Sequence, residues 1–277
     1  DAHHSIEARI KSYTDIVYGM RALFHAGPST TRLQFHRYVE GLELARRYPG
    51  FLNLNYAFQV PLAERTRFEA RVRSDTGIDP HGYRQFSIQP PGDRPYYHVL
   101  TYLEPMSGNE ATFGRDIVAQ PGRKEPFERL FILSKGELAS SGRPVLVNGT
   151  RSFWGVAVRL PVYQPDAPLE TAEERRRALL GTLGAGFRVD ELLRNVLPEE
   201  TLNTLSFRVF EAGPAGGGPS EDKLLLFDSR VPDAAPGTTP YPDGEDFQFN
   251  TSLALPVANR SWVIEYGTRR ERMLSSG

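Results

Sequence analysis

Cysteine is absent from the 277 residues of this chain. The protein therefore contains no disulfide framework, no thiolate metal site and no cysteine nucleophile. An excess of charge of one sign is also absent, because 33 Lys and Arg residues nearly balance 34 Asp and Glu residues and leave a net charge of -1. This balance gives no electrostatic basis for binding nucleic acid or an acidic membrane surface.

Long apolar runs are missing as well. No segment approaches the roughly 20 consecutive apolar residues of a membrane-spanning helix, and no signal peptide opens the sequence. Lysine is scarce, since only four of the 33 basic residues are Lys, and the heavy use of Arg, Ala and Pro is typical of a GC-rich bacterium. The content of 39% hydrophobic and 24% charged residues describes an ordinary soluble protein. Its length allows one large domain or two smaller ones.

Common catalytic and cofactor motifs are also missing. The chain has neither a G-x-S-x-G nucleophile elbow nor an H-E-x-x-H motif. Its Gly-rich stretches "GPAGGGPSEDK" and "GTLGAG" lack the spacing of phosphate-binding loops, and the second favours tight packing of a strand against a helix. His3, His4 and Glu7 could meet on one helical turn, but they lie at a chain end where fraying is expected. We therefore predict no enzyme activity, no metal and no cofactor in this chain.

The first residues carry the apolar pattern of a long helix. Apolar side chains follow one another in alternating steps of four and three residues, which is the spacing of a coiled-coil seam. They are Ile6, Ile10, Tyr13, Val17, Met20 and Phe24. Two interpretations remain open: the seam joins two copies of the chain in a homodimer, or the helix packs on its own domain. Gly27 and Pro28 end the pattern, and a second helix follows with Ser29 or Thr30 as its N-cap.

Strand and helix patterns then alternate in a first set of elements. A strand over "FLNLNYAFQV" and a helix over "LAERTRFEARVRS" precede two strands, "YRQFSIQP" and "YYHVLTYLEP". A helix near residues 125–139 leads to two strands in "RPVLVNGTRSFWGVAVRLPVY", joined at the hairpin signal Asn148-Gly149.

A second and smaller set of elements begins after the polar segment "QPDAPLETAEERRRA". It contains a strand over "GTLGAGF", a helix over "RVDELLRNVL" and four further strands. Hairpin-linked antiparallel strands with helices on one side form an α+β layer, so both sets predict an α+β fold and not a doubly wound parallel sheet.

The order and spacing of several motifs match a known family. These motifs are "NYAFQV" followed by "RFEARV", "PYYHVLTYLEP", "GRDIVAQPGRKEPFERL", "GRPVLV", "FWGVAVRLPVYQPDAP" and "GTLGAGFRVDELLRNVL". Together they resemble the CHASE domain, the extracytoplasmic sensor module of membrane histidine kinases, nucleotide cyclases and diguanylate cyclases, which also forms the sensor region of plant cytokinin receptors. The resemblance is close over about residues 30 to 200 and architectural in the remainder.

The resemblance implies a long N-terminal stalk helix followed by two PAS-like antiparallel-sheet domains. We expect stalk and linker helices in residues 1–49, a membrane-distal ligand-binding domain in residues 50–165 and a membrane-proximal domain in residues 166–277. It also implies transmembrane helices before Asp1 and after about Gly277. The chain would then be the periplasmic portion of an inner-membrane protein whose cytoplasmic part, a histidine kinase or diguanylate cyclase, provides the catalytic output.

Asp116 is the first candidate binding residue. By resemblance it corresponds to the receptor aspartate that accepts hydrogen bonds from adenine-type N–H groups of the ligand. A carboxylate can accept two such bonds, and its charge strengthens both. The other interpretation is structural, in which Asp116 caps the following helix or pairs with Arg115 or Arg123.

Further lining residues come from the resemblance and from strand alternation. By resemblance, Leu146 and Leu160 match pocket-lining positions, and Ser152 lies near a threonine that contacts the ligand. Alternation places Tyr97, Val99, Thr101 and Leu103 on one sheet face, and Phe131 lies on the helix expected to cover the pocket.

The function implied is an extracytoplasmic sensor that binds a small molecule in its distal domain. A cytokinin is one candidate ligand, and another purine, amine or amino acid is equally compatible with the residues. The alternative is a non-sensing module for dimerisation or protein contact, with a pocket that stays empty.

Overall fold

The computed structural model describes residues 1–27, 29–140, 142–217, 222–237 and 247–269. A long N-terminal helix and two short helices precede mixed α and β elements, which build two sheets largely of antiparallel strands. This architecture confirms the predicted α+β class and the long first helix. Residues 218–221 of the Gly-rich stretch "GPAGGGPSEDK" lie outside the described residues.

The first helix, α1, spans Ala2–His25. All six residues of the predicted seam are buried by the chain itself, with exposed fractions of 0% to 9%. In the first half of the helix Tyr13 packs edge-on against Phe187, and in the second half the ring of Phe24 lies 4.2 Å from that of Tyr56. The apolar face therefore packs as in the second interpretation, and the seam residues are not free to contact another copy.

Helices α2, at Arg32–Leu42, and α3, at Leu44–Arg47, follow. The N-cap of α2 is Thr31, and not Ser29 or Thr30 as predicted. Its hydroxyl accepts a hydrogen bond from the backbone N–H of Gln34 (3.2 Å), and the Gln34 side chain accepts one from the N–H of Thr31 (2.8 Å). Thr31 completes a capping box because Gln34 follows it by three residues, whereas Arg32 and Leu33 follow Ser29 and Thr30 at that distance.

The first sheet is built from strands β1 to β6. They are β1 Phe51–Pro61, β2 Tyr96–Glu104, β3 Ala139–Ser140, β4 Val145–Val147, β5 Phe153–Tyr163 and β6 Leu179–Arg188. Their order is β2-β1-β6-β5-β3, and β4 pairs with β5 beside β3. Strand β6 thus lies in the middle of this sheet, although its sequence was predicted to open the second set. The expected division between residues 165 and 166 falls between two strands of one sheet.

Helix α4, at Arg65–Arg73, packs on β1 and β2. The segment "YRQFSIQP", predicted as a strand, forms only an isolated bridge from Gln89 to Arg115. Its Phe86 and Ile88 are buried in the α4 cluster. The backbone N–H of Ile88 donates to the Glu69 carboxylate at 2.9 Å. The alternating apolar side chains are buried as a strand pattern predicts, but they pack against α4 and the segment does not pair as a strand.

The connection between β2 and β3 is helical. It contains 3₁₀ turns at Glu110–Thr112 and Ile117–Ala119, helix α5 at Lys124–Glu128 and a π-helical turn at Arg129–Leu133. The helix predicted near residues 125–139 therefore ends earlier, where the Ser134 hydroxyl donates to the carbonyl of Arg129 at 2.6 Å.

The predicted hairpin at Asn148-Gly149 is present. Val147 of β4 is paired with Phe153 of β5, so residues 148–152 form the connecting loop. The hairpin joins the two strands by a longer loop than the two-residue turn signal indicated.

The second sheet follows three short helices, which are α6 Ala172–Ala178, α7 Val189–Leu193 and α8 Glu199–Leu202. Its strands are β7 Leu205–Pro214, β8 Leu224–Asp228, β9 Phe247–Val257 and β10 Arg260–Arg269, in the order β8-β7-β10-β9. Trp262, Val209 and Ile264 are fully or almost fully buried on this sheet and form part of its core.

Two compact units divide the chain. One contains Asp1–Tyr13, Gly142–Val156 and Phe187–Gly277, and the other contains Thr14–Ser141 and Ala157–Gly186. None of the helices in the described ranges is both long and apolar enough to cross a bilayer.

Candidate ligand-binding site

A hollow of about 200 Å³ lies within the second of these units. The Ile117–Ala119 turn, α5 and the π-helical turn supply most of its wall, Gln120 and Arg123 from the segment between the turn and α5 add to it, and β3 and β5 supply the rest. We call the helical side the roof and the sheet side the floor. The lining residues are Ile117, Val118, Gln120, Arg123, Pro126, Phe127, Leu130, Phe131, Ala139, Ala157 and Arg159.

Asp116 lies immediately before the roof and is fully buried. One carboxylate oxygen accepts hydrogen bonds from the backbone N–H groups of His98 (2.9 Å) and Val118 (3.2 Å). The other accepts from Nε of Arg94 at 2.9 Å, which makes an ion pair. The carboxylate thus caps the first turn of the roof and holds it to β2.

Three protein donors therefore occupy Asp116, and this residue is not one of the lining residues of the hollow. The geometry matches the structural interpretation of the sequence, but the charged partner is Arg94 and neither Arg115 nor Arg123. Direct contact of Asp116 with a ligand stays a prediction.

The floor carries a chain of polar side chains centred on Arg159 of β5. Its Nη1 donates to the Thr182 hydroxyl at 3.0 Å, and its Nη2 donates to the Asn55 side-chain oxygen at 2.8 Å. Nε2 of His98 lies 2.6 Å from the same hydroxyl, and its Nδ1 lies 2.8 Å from the Gln59 side-chain oxygen. Since an amide oxygen only accepts, Nδ1 of His98 donates to Gln59 and Nε2 accepts the Thr182 proton.

Burial shifts the pKa values of the two titratable side chains in this hydrogen-bonded group, His98 and Arg159. It lowers the pKa of His98 well below 6.5, and the nearby Arg159 charge lowers it further, so the imidazole is neutral at neutral pH. Burial also lowers the pKa of Arg159 to about 10, which still leaves the guanidinium charged at neutral pH. Among these hydrogen-bonded side chains of the floor, Arg159 is the one that carries a positive charge. Its side chain is partly accessible and lines the hollow.

Gly184 of β6 makes room for the guanidinium. A Cβ at this position would lie 2.9 Å from Cζ of Arg159 and 2.5 Å from the Asn55 side-chain oxygen. Both distances are shorter than van der Waals contact allows. Gly184 of "GTLGAG" therefore leaves space for the partly buried side chain of Arg159 on the neighbouring strand, and does not serve the packing of a strand on a helix.

Polar side chains hold the end of the roof. Arg175 of α6 donates to the carbonyls of Ile132 (2.8 Å) and Leu133 (2.9 Å), and also to those of Leu169 (2.7 Å) and Glu170 (2.9 Å). The Tyr163 hydroxyl donates to the carbonyl of Phe131 at 2.8 Å. The bonds to Phe131, Ile132 and Leu133 satisfy carbonyls of the π-helical turn.

The structure brings Phe131 to the hollow and places the other predicted site residues elsewhere. Tyr97 and Val99 belong to the cluster under α4. On β5, Leu160 is fully buried one residue after Arg159, so strand alternation points it to the opposite face. Alternation alone could not tell which face of the sheet carries the hollow.

The remaining predicted site residues are also outside the lining. Thr101 is buried and its hydroxyl donates to the carbonyl of Val99 at 2.9 Å, and Leu103 is buried in the core. Leu146 on β4 is 47% exposed. Ser152, in the following loop, donates to the Asn148 side chain at 3.3 Å.

Sequence reasoning missed Arg159, Thr182 and His98. A usable signal was the single charge inside the otherwise apolar stretch "FWGVAVRLPVY", together with small residues in "GTLGAG". His98 gave no signal, since one histidine in a buried strand has no ligand spacing. Over the described ranges, no group of His and carboxylate side chains is arranged to hold a metal ion, and His3 is instead 2.8 Å from the Tyr266 hydroxyl.

Comparison with known proteins identifies the chain more closely. The model of the CHASE domain family matches residues 28–226. No curated protein sequence matches the chain.

Two solved structures align with most of this chain. An extracellular ligand-binding receptor from Desulfohalobium retbaense DSM5692 aligns with a TM-score of 0.50 and 10% identity, over 96% of this chain and 39% of the receptor chain. The chain thus spans well under half of that receptor. The ligand-binding domain of the Pseudomonas aeruginosa PAO1 amino acid chemoreceptor PctC, in complex with GABA, aligns with a TM-score of 0.44 and 14% identity over 96% of this chain and 94% of that one.

Proposed function

We propose that this chain, which belongs to the CHASE domain family of extracytoplasmic sensor domains, binds a small molecule in the hollow between α5 and β5. The predicted PAS-like fold agrees with this assignment. The single observation that carries the proposal is the hollow itself, with helical turns on one side and the sheet on the other. Sites for small molecules are concave and mostly apolar, with a few polar groups that fix orientation.

The character of the lining supports binding and not an incidental packing defect. Apolar side chains such as Phe127, Leu130 and Phe131 make up most of the wall, and Arg159 and Gln120 add polar groups. A volume of about 200 Å³ is below the roughly 300–1,000 Å³ typical of drug-sized ligands. The ligand is therefore small.

The wider proposal follows the family. The sheet that carries the hollow would be the membrane-distal PAS-like domain, and the second sheet the membrane-proximal one, between transmembrane helices and a cytoplasmic histidine kinase or diguanylate cyclase. The ligand would shift a two-state arrangement, which requires different affinities for the two states. A homodimer along α1 remains part of the proposal, through faces of the helix other than the buried seam.

A thermal-shift screen of purines, including cytokinins, and of amines, amino acids and carboxylates tests the proposal. A ligand that binds only the folded state raises the melting temperature. Ala157→Trp, which places an indole in the hollow, should abolish the gain. Leu146→Trp is the matched control, because Leu146 is exposed on β4 and does not line the hollow.

Two results would contradict binding in the hollow. A hit that stabilises Ala157→Trp as much as the unchanged chain would have its site elsewhere. A screen without any hit at millimolar concentrations, together with a stable dimer in light scattering, would favour the non-sensing dimerisation module.

A further inference from the structure

We propose that the ligand of the hollow is a small organic carboxylate with an apolar body, and that Arg159 binds its carboxylate group. This inference rests on the proposed function and specifies its ligand class. It differs from the adenine-like ligand implied by the family resemblance, because the charged group that lines the hollow is a cation and not an aspartate.

The charge of the lining is the first support. Arg123 and Arg159 line the hollow, and no carboxylate residue lies among the described residues of its wall. Of the nearby carboxylates outside the lining, Asp116 is paired with Arg94, and Glu128 of α5 binds the Tyr96 hydroxyl and lies 3.8 Å from Arg176. A ligand that enters this hollow therefore meets the positive charge of Arg159.

The hydrogen bonds of Arg159 are the second support. Its two protein partners, Thr182 and Asn55, are both neutral, and the described part of the chain provides no carboxylate to pair with it. Two of its five N–H groups are used in this way. Arg188, which is also partly buried, has such a partner in Asp190 at 2.8 Å, and the buried Arg175 is bound by four backbone carbonyls. An unpaired guanidinium at a poorly hydrated site is costly, and an anion from outside removes that cost.

Geometry favours a carboxylate among the possible anions. The planar fork of a guanidinium matches the two oxygens of a carboxylate, and one guanidinium balances its single charge. Thr182 and Asn55 fix the plane of the fork on the floor, and Gly184 leaves the space it occupies. Opposite this floor, Phe127, Leu130 and Phe131 of the roof provide apolar contacts for a small aliphatic or aromatic body.

The roof gives little basis for recognition of an adenine-type ligand. Such a ligand presents N–H donors, which need acceptors on the protein. Gln120 is the one uncharged polar side chain of the lining, and the Asp116 oxygens already accept three N–H groups. A carboxylate needs donors, which Arg159 has in excess.

Isothermal titration calorimetry with matched probe pairs tests this inference. Benzoate and cyclohexanecarboxylate are compared with benzamide and cyclohexanecarboxamide, and adenine and benzylamine are included as neutral and cationic probes. We expect the carboxylates to bind about tenfold or more tightly than their amides, since charged hydrogen bonds are lost in the amides. Arg159→Gln should remove this preference. The control Arg115→Gln, at an exposed arginine outside the lining, should keep it.

The possible failures are distinguishable. If amides bind as well as carboxylates, or if carboxylates bind Arg159→Gln unchanged, the inference is overturned. If adenine or benzylamine binds and Ala157→Trp blocks it while carboxylates do not bind, the proposed function stands and this inference does not. If no probe of any class binds, this inference is overturned, and the wider thermal-shift screen decides the proposed function separately. The comparison of acid with amide on the unchanged chain decides the question even if Arg159→Gln fails to fold.

Discussion

Replacing Asp116 by alanine separates the two interpretations of this residue. If the carboxylate mainly holds the roof to β2, Asp116→Ala should strongly destabilise the unit that contains the hollow. If it mainly reads a ligand, the free energy of unfolding should change little while binding is lost.

The magnitude follows from the three donors that would lose their acceptor. Loss of the cap on the turn at Val118 costs about 1 kcal/mol, and an unsatisfied N–H of His98 in a buried strand costs about 1–3 kcal/mol. Arg94 is 24% exposed, so water partly replaces its lost partner, and this contribution is about 1 kcal/mol, well below that of a fully buried pair. Together the structure predicts a loss of about 3–5 kcal/mol.

Urea unfolding followed by circular dichroism measures this loss, and hydrogen exchange at the amides of His98 and Val118 localises it. Asp116→Asn should be intermediate, since its side-chain oxygen still accepts from both amides while its NH₂ group cannot accept from Arg94. The control Asp93→Ala removes an exposed carboxylate 3.2 Å from Arg65 and should cost at most about 1 kcal/mol. A loss below 1 kcal/mol for Asp116→Ala, with unchanged exchange at both amides, would refute the reasoning.

Three further predictions concern the floor, the pH dependence and the first helix. Gly184→Ala should destabilise by about 1–3 kcal/mol through overpacking against Arg159 and Asn55, whereas Gly149→Ala, whose Cβ would have no contact closer than 3.8 Å, should change the urea midpoint little. Because the pKa of His98 is depressed in the folded state, the unfolded chain binds a proton at this residue first as the pH falls. The free energy of unfolding should therefore decrease below about pH 6.5. His98→Gln should lack this part of the pH dependence, and a profile identical to that of the unchanged chain in urea titrations would contradict the prediction. Met20→Ala should lower the free energy of unfolding by about 2–5 kcal/mol, because the Met20 side chain is fully buried within its own chain. The molar mass in light scattering should not change. A shift from dimer to monomer at unchanged stability would instead support the seam between two copies.

Local patterns predicted the elements well and their partners poorly. The α1 repeat, the hairpin at Asn148-Gly149 and most strands follow from periodicity and turn residues. The position of β6 between β1 and β5 could not be predicted in this way, since strand order depends on contacts between distant segments. The "YRQFSIQP" segment shows the same limit, because alternation records burial and does not state whether a strand or a helix provides it.

The candidate site was predictable only in outline. The sequence predicts a helix that covers the sheet and a contribution from Phe131. It indicates Asp116 as the polar binding residue, whereas Arg159 lines the hollow. A sequence does not show that Arg94 reaches Asp116, or that the acidic partner is missing at Arg159. Which charges remain unpaired becomes visible only when the side chains of β1, β2, β5 and β6 lie on one face.

The bonds of Arg175 have a mechanical consequence for the hollow. A single side chain ties the end of the roof to α6 through the carbonyls of Ile132 and Leu133, and α6 passes into β6 without an intervening residue, from Ala178 to Leu179. Thr182 and Gly184, which position the guanidinium, are on that same strand. Outward movement of the roof must therefore either break these hydrogen bonds or displace β6. The roof and the floor of the hollow are thus coupled through Arg175.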